Sequence, residues 1–296
     1  MEIEPRDDPT PYDVIASSPN SALDSYYLLP HFQVGAVNRA ESTYHTAGGK
    51  GNNLARAVRA LGGRVLSLGI VGGYTGRFIL DELAREKIPT DMVWIEQETR
   101  RSSTLISAGR MQNTVVLDTG NPTPVEVGLR LRQKIHAHAL EAPYLVLTGS
   151  LPPGFPEQFY AEITRDAAEF PGLKVCLDCS GPPLLAAMEA GSAIVKVNSL
   201  EYMASLSYQS AFSLSEVLDT FECYHSRGLE ILIVTDGPQG AYVFSNSQVP
   251  FQVKTTTGSW LSTAGAGDTF MAGLLLSLNR GVHLEQAAAY ASAAAV

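Results

Sequence analysis

The sequence has few cysteines, and their number and spacing exclude two classes of protein. Only three of the 296 residues are cysteine, too few for a small secreted domain held together by several disulfides. Cys176 and Cys179 form one C-x-x-C pair, but structural zinc sites normally need a second pair of ligands, which the sequence does not show. A redox pair is the alternative, and two buried thiols that pack as small apolar side chains are the simpler interpretation.

The sequence also lacks an excess of basic residues and a long apolar segment. Lys and Arg number 21 against 30 Asp and Glu, a formal charge of −9, so a basic nucleic-acid-binding face is not expected. No apolar run approaches the roughly 18 residues of a membrane span, and the acidic start MEIEPRDDPTPYD does not resemble a secretory signal. We expect a cytoplasmic protein with a flexible tail at 1–12, whose partners are small molecules, with no nucleic acid and no membrane among them.

Short β-rich segments alternate with amphipathic helical segments along most of the chain. Nearly continuous apolar runs indicate strands that are covered on both faces, as in a parallel sheet. These runs are 13–18, 64–73, 144–150, 174–181, 193–198 and 231–237, and the helical segments between them include 52–63, 157–170 and 213–228. The alternation predicts an α/β fold: a three-layer α/β/α, doubly wound core with a mostly parallel sheet.

Two segments, 25–47 and 91–118, break this alternation. They contain strand-like runs such as DMVWIEQ and RSSTLISAG with no helix between them. We expect them to form a small antiparallel β lid that covers a site and whose exposed edges pair with a second subunit, giving a homodimer. The core domain would then comprise 13–24, 48–90 and 119–296.

The first chemical motif is AGGKGNN (47–53), which opens a predicted helix. It is not a P-loop, because Lys50 is followed by Gly51 and Asn52, with no Ser or Thr after the lysine. Asn53 can hydrogen-bond hydroxyl groups, and Lys50 can neutralise a phosphate. A glycine-rich strand-to-helix turn without a ligand is the alternative.

The second motif is STAGAGDTFMAG (262–273), in which glycines precede an aspartate and an apolar helix. The backbone N–H groups of Gly265, Ala266 and Gly267 at a helix N-terminus suit a phosphoryl group. Asp268 can accept the proton of an attacking hydroxyl while those amides stabilise the transferred group. The alternative is that Asp268 only caps the helix.

These motifs resemble a known enzyme family. GGKGNN followed by LARAVRALGG resembles the first signature of ribokinase-like (phosphofructokinase B) carbohydrate kinases, and STAGAGDTFMAG resembles the second. GAVNRAESTYHTAGGKG, ETRRSSTLI, TGSLPPG and VKVNSLEY are similar to the branch that contains 1-phosphofructokinase and tagatose-6-phosphate kinase. The resemblance runs from about residue 13 to the end. It implies ATP- and Mg²⁺-dependent phosphoryl transfer to a hydroxyl of fructose 1-phosphate, fructose 6-phosphate or tagatose 6-phosphate, giving a bisphosphate.

The resemblance also implies roles for individual residues. Asp268 would be the general base, and Gly265, Ala266 and Gly267 would form the anion hole. The sugar phosphate would be bound by Asp24, Gly48, Gly49, Lys50, Asn53 and Arg100, of which Lys50 and Arg100 would meet its phosphate. The nucleotide would be bound by Lys196, Asn198, Thr235, Gly237 and Gly240, while Asn198 and Glu201 would organise Mg²⁺ through water.

Some of these assignments have alternatives. Lys196 and Glu201 could be solvated surface charges, since most charged side chains are exposed. Arg101 could replace Arg100 in the pocket, but alternation along a strand sends the two side chains to opposite faces, so only one can enter. At the level of function, the alternatives are a kinase of an unphosphorylated sugar or nucleoside and a catalytically silent sugar-phosphate sensor. A nicotinamide dehydrogenase is disfavoured, because no G-x-G-x-x-G follows the first strand.

The chain departs from the family pattern at a few positions. Val197 replaces the proline of K-P-N-x-x-E, Thr235 replaces a serine, and NTVVLDTGNP (113–122) lacks the usual Glu and Asn after the lid. The chain ends within AAAYASAAAV (287–296), inside a predicted helix. We therefore expect a last part of the fold to lie beyond Val296.

Overall fold

The computed structural model describes residues 10–107, 112–206, 213–255 and 265–295. The strands in these ranges are β1 (Val14–Ser18), β2 (Ala22–Leu29), β3 (Ser42–Gly48), β4 (Val65–Gly72), β5 (Val93–Ile95), β6 (Arg101–Ser107), β7 (Gln112–Leu117), β8 (Tyr144–Thr148), β9 (Lys174–Asp178), β10 (Ile194–Asn198), β11 (Ile231–Thr235), β12 (Ala241–Ser245) and β13 (Gln248–Val253). The helices are α1 (Lys50–Ala60), α2 (Gly73–Arg85), α3 (Val125–His138), α4 (Phe159–Ala167), α5 (Pro182–Glu189), α6 (Ser199–Ser205), α7 (Leu214–His225), α8 (Ala266–Asn279) and α9 (Leu284–Ala294).

Nine of these strands form one large sheet in the order β13-β12-β11-β10-β9-β8-β1-β4-β5. The pairs from β11 across to β5 are parallel, and β12 and β13 add antiparallel pairs at one edge. The mostly parallel α/β core that the sequence predicts is therefore confirmed, with strands at each of the six predicted runs.

Side-chain alternation along the strands divides the core into two apolar layers. In β8, Tyr144 and Val146 pack on the face covered by α1, α2, α8 and α9. The neighbouring Leu145 and Leu147 pack on the opposite face, against α3 to α7. Successive strand residues point to opposite faces, so a strand with helices on both sides needs apolar residues at every position. This explains the continuous apolar runs and gives the predicted three layers.

A separate four-stranded sheet has the order β3-β2-β6-β7. We expected an antiparallel sheet, but β2 and β6 run parallel, with Leu23 opposite Arg101 and Leu29 opposite Ser107. The reason is topological: β2 follows β1, and β6 follows the β4–α2–β5 unit, so both strands leave the core from the same edge. The sheet is therefore mixed.

Two predicted boundaries of the lid differ from the strand bounds. Val93 is fully buried, and β5 pairs with β4 in the large sheet although its sequence lies in the predicted lid segment. Asp24, the last residue of the predicted core segment, lies inside β2. The division into core and lid stays a prediction, and residues 1–9 of the predicted tail and 108–111 of the lid segment lie outside the described residues.

Candidate active site

Three neighbouring parallel strands end in polar residues at the same edge of the large sheet. Asp178 ends β9, Asn198 ends β10 and Thr235 ends β11. The carboxyl ends of parallel strands form the usual ligand crevice of such sheets. A cavity of about 470 Å³ lies at this edge. Its lining includes Lys50, Asp178, Lys196, Asn198, Glu201, Thr235, Gly237, Gly240, Gly265, Ala266, Gly267 and Asp268.

Helix α8 begins at the cavity and presents its N-terminus there. Gly265, the N-cap residue, precedes the helix in the left-handed conformation (φ 82°), which favours glycine, and it has no side chain with which to cap the first turn. The first N–H groups of a helix have no partner within the helix and carry partial positive charge. A side chain at Gly267 would place its Cβ 2.7 Å from Lys196 Nζ, so glycine here lets the ammonium approach the helix start.

Asp268 lies in the first turn of α8 and lines the cavity, with 6% of its surface exposed. Burial raises the pKa of Asp268 from 3.8 to about 7, and the charge of Asp178 adds to the rise. Lys196, Lys50 and a hydrogen bond from Asn53 oppose it. Gly265, and not Asp268, is the N-cap residue of α8. A carboxylate with a pKa near neutrality, facing a cavity, is suited to accept a proton.

Asp178 is a buried charged residue that the sequence analysis missed. Its side chain is 2% exposed; Oδ1 lies 2.9 Å from Lys50 Nζ, and Oδ2 lies 2.7 Å from Lys196 Nζ. Burial alone would raise its pKa, but the two ammonium groups lower it to about 2. One carboxylate therefore holds two cations beside Asp268. The signal was present, because Asp178 is a charged residue at the carboxyl end of an apolar strand.

The two lysines both pair with Asp178. Lys196 is 3% exposed and paired with Asp178, so the surface-charge alternative is wrong for it. Lys50, predicted to meet the phosphate of the sugar, donates to Asp178 and to Glu201 Oε1, the latter at 3.1 Å. Burial would lower the pKa of Lys50, but the two carboxylates raise it overall. Lys50 thus belongs to the charged cluster of the cavity.

The N-x-x-E pattern forms the capping box of α6. Asn198 Oδ1 accepts from the Glu201 N–H (2.8 Å), and Glu201 Oε2 accepts from the Asn198 N–H (3.2 Å). Both residues also line the cavity. In the described part of the chain, no group of three or more His, Cys, Asp or Glu side chains could hold a metal ion. Mg²⁺ is usually bound by one or two carboxylates together with waters and substrate phosphates. The Glu201 carboxylate and the Asn198 amide oxygen fit that mode of binding, and they do not form a site made of protein ligands alone.

A second group of predicted residues adjoins the cavity through Lys50 and Asn53. A Cβ on Gly48 would lie 2.1 Å from the carboxyl carbon of Asp24, and the Gly49 N–H donates to this carboxylate. Burial raises the pKa of Asp24, while Arg100 opposes the rise. The N-terminus of α1 therefore contacts Asp24 through Gly49 and Asp268 through Asn53.

Arg100 is half-buried, whereas Arg101 is exposed at the start of β6. Arg100 Nε and one terminal nitrogen donate to the Asn20 carbonyl at 3.2 and 3.1 Å, and the other terminal nitrogen donates to the Asp118 carbonyl at 2.7 Å. Of the two arginines, Arg100 is thus the one that is anchored on the Asp24 side.

The C-x-x-C pair is buried, and each thiol is free. Cys176 has no exposed surface and Cys179 is 2% exposed. Burial raises the pKa of both thiols, which disfavours the reactive thiolate. The simpler interpretation of these residues, as small core side chains, agrees with their environment.

Across the described residues, we find no helix with the length and apolar character that crossing a bilayer requires. The cytoplasmic location stays a prediction.

Comparison with known proteins identifies the relatives of this chain. The model of the family described as pfkB family carbohydrate kinase matches residues 21–296. A D-tagatose-1-phosphate kinase of Bacillus licheniformis is 31% identical, with 93% of this chain and 88% of the relative covered. A tagatose-6-phosphate kinase of Staphylococcus epidermidis is 29% identical, with 88% and 83% covered. The tetrameric inhibited form of phosphofructokinase-2 from Escherichia coli superimposes with a TM-score of 0.88 at 26% identity, over 96% of this chain and 93% of the other.

Proposed function

The chain belongs to the pfkB family of carbohydrate kinases, as its motifs indicated, and from this premise we propose that it transfers the γ-phosphoryl group of ATP to a hydroxyl of a phosphorylated ketohexose. The observation that carries the proposal is the juxtaposition at the start of α8. A buried carboxylate, an uncapped helix N-terminus and two ammonium groups line one cavity. A carboxylate of this kind can deprotonate an alcohol, and the helix N-terminus and ammonium groups can stabilise a transferred phosphoryl group.

In the proposed mechanism, Asp268 accepts the proton of the attacking hydroxyl. The hydroxyl oxygen forms a bond to the γ-phosphorus as the bond to the β-phosphate oxygen breaks, and ADP leaves. The N–H groups at Gly265 to Gly267 and the ammonium of Lys196 stabilise the charge on the transferred group. Asn198 and Glu201 would hold Mg²⁺, which when bound neutralises phosphate charge. Thr235, Gly237 and Gly240, which line the same cavity, would contact the nucleotide.

The sugar phosphate would occupy the polar site beside Asp24, with its hydroxyls on Asp24, Gly48, Gly49 and Asn53. Because two carboxylates already hold Lys50, we assign the existing phosphate of the substrate to Arg100. Its guanidinium has five N–H donors, of which the two carbonyls use three. The remaining donors are available for a phosphate. The names of the two relatives place that phosphate at different carbons, and both positions are included in the substrate panel.

A substrate panel tests the proposal. We expect ATP-dependent turnover with at least one of fructose 1-phosphate, fructose 6-phosphate, tagatose 1-phosphate and tagatose 6-phosphate. Turnover is measured as the release of ADP. Free fructose, tagatose, ribose and adenosine should be poor substrates, because they give Arg100 no anion to bind. Turnover of the free compounds alone would favour the alternative kinase. Binding of a sugar phosphate, measured by calorimetry, with no ADP release would favour the silent sensor.

We also propose a homodimer formed through the four-stranded sheet. The edge strand β7 exposes Val115, Val116 and Leu117 by 54%, 58% and 68%, and an apolar edge of this kind readily pairs with a second chain. Self-association also occurs in the related Escherichia coli enzyme, which is described as tetrameric when inhibited. Sedimentation velocity should show a dimer for the wild-type protein and monomers for Val115→Lys. A monomeric wild-type protein at micromolar concentration would contradict this proposal.

A further inference from the structure

The connection from β5 to β6 is attached to the start of α2 by one carboxylate. Glu98 Oε1 accepts from the Tyr74 N–H (2.9 Å), and Oε2 accepts from the Thr75 N–H (3.0 Å) and lies 2.5 Å from the Thr75 hydroxyl. Gly73, the first residue of α2, has φ 64°. A Cβ there would lie 2.3 Å from the carboxyl carbon of Glu98. The helix therefore begins with a residue whose missing side chain leaves room for this carboxylate.

The next residue, Thr99, continues the attachment through its backbone and its hydroxyl. Its N–H donates to the Gly72 carbonyl (3.1 Å), and its Oγ1 accepts from the Gly72 N–H (2.8 Å). The Thr75 hydroxyl also lies 2.9 Å from the Thr99 carbonyl, so its single hydrogen is shared between Thr99 and Glu98. Glu98 and Thr99 thus fix the chain to the start of α2 and to the end of β4, just before it enters the small sheet.

Arg100 follows directly, and its surroundings depend on the same segment. Its carbonyl accepts from the Leu23 N–H (2.9 Å) at the start of β2, and its guanidinium reaches Asn20 and Asp118. Asn121 donates to the Glu98 carbonyl at 3.1 Å. Glu98 and Arg100 are separated by one residue, Thr99, which is itself bonded to Gly72, so the contacts of Glu98 and Thr99 limit the positions open to Arg100. Small displacements of substrate-binding groups have large kinetic effects.

We propose that Glu98 is a positioning residue for the sugar-phosphate site, acting through the pair that it forms with Thr75, which we call the Glu98–Thr75 latch. The latch fixes segment 98–100 against α2 and thereby directs the Arg100 guanidinium toward the phosphate of the substrate. This inference rests on the proposed function, since it assumes that Arg100 binds that phosphate. The carboxylate at a helix N-terminus accepts charge-assisted hydrogen bonds, which are stronger than neutral ones.

The hydrogen bonds of the latch favour the charged form of Glu98. The Thr75 hydroxyl, followed by the Thr75 and Tyr74 N–H groups, lowers the pKa of Glu98 to about 2. Glu98 is exposed, and exposed ionic contacts add little to global stability. Loss of the latch should therefore weaken binding of the sugar phosphate while leaving the melting temperature nearly unchanged.

Kinetics of matched variants tests the inference. We expect Glu98→Ala and Thr75→Val each to raise KM for the sugar phosphate by about tenfold, with less than about twofold change in KM for ATP. Glu96→Ala removes another exposed acid from the same connection, and Thr75→Ser keeps the hydroxyl, so both controls should behave like wild type. The double variant should be little worse than either single variant, because the two residues act as one unit. An unchanged KM for the sugar phosphate in Glu98→Ala would overturn the inference.

Amide hydrogen exchange tests the latch independently of the proposed kinase activity, because the measurement requires no turnover. Amides in segment 98–107 should exchange faster in Glu98→Ala than in Glu96→Ala. Unchanged exchange would show that no latch operates, and faster exchange with unchanged KM would show that the latch does not position Arg100. Failure of the wild-type protein to phosphorylate any sugar phosphate would overturn the proposed function and with it the substrate-positioning role. The exchange result would still report on the latch itself.

Discussion

Replacing Asp268 with Asn is expected to lower kcat by about 10³-fold, because the amide cannot accept the proton of the attacking hydroxyl. Asn has nearly the shape of Asp, so the start of α8 and the cavity should keep their form. Binding of ATP and of the sugar phosphate, measured by calorimetry, should change by less than about tenfold. The measurement is ADP release with the best substrate of the panel, and near-normal turnover would show that Asp268 is not the base.

The pH dependence gives an independent test of the same carboxylate. With the pKa of Asp268 raised to about 7, kcat/KM of the wild-type protein should fall about tenfold per unit below pH 7. An unfolded chain would lose this proton near 3.8, so the folded protein above pH 7 carries a charge that burial disfavours. Asp268→Asn should therefore melt at the same or a higher temperature at pH 8, and the gain should shrink at pH 5. If Asp268→Asn were much less stable than wild type at pH 8, its lost activity would be explained by misfolding and not by loss of the base.

Features that depend on neighbouring residues could be predicted from the sequence. The apolar strand runs and the glycines before Asp268 are local patterns, and they identified the parallel core, the helix start and its carboxylate. Local alternation also indicated that only one of Arg100 and Arg101 can enter the pocket, and the family resemblance pointed to Arg100. The parallel pairing of β2 with β6 could not be predicted, because it depends on the core edge from which each strand leaves.

The charged cluster could not be predicted, because its contacts join distant parts of the chain. Asp178 is 128 residues from Lys50 and 18 residues from Lys196, so no spacing pattern predicts that it holds both. The prediction that Lys50 meets the substrate phosphate uses only the local glycine-rich turn, whereas its carboxylate partners Asp178 and Glu201 are distant in the sequence. The N-x-x-E pattern shows a related ambiguity, since a capping box and a candidate metal site use the same two side chains.

Asp178→Asn is expected to destabilise the protein by about 3–5 kcal/mol, the usual effect of removing one partner of a buried ion pair. Lys196, with 4% of its side chain exposed, would lose its carboxylate partner. Asp166→Asn is the matched control, because Asp166 pairs with Arg132 at a more exposed site and should lose only about 0–1 kcal/mol. Urea unfolding at pH 7.5 measures both values.

The same variant should lower kcat by about 10²-fold, because both lysines lose the group that positions them. The pKa of Asp178 is lowered from 3.8 to about 2, so its stabilising contribution is present above pH 4 and is lost as the pH falls toward 2. The stability difference between wild type and Asp178→Asn should therefore shrink at pH 3. Adding Lys196→Met to Asp178→Asn should recover stability, because the unpaired buried charge is removed, but should not recover kcat. If Asp178→Asn kept near-normal stability and turnover, the two ammonium groups would hold their positions without their shared carboxylate.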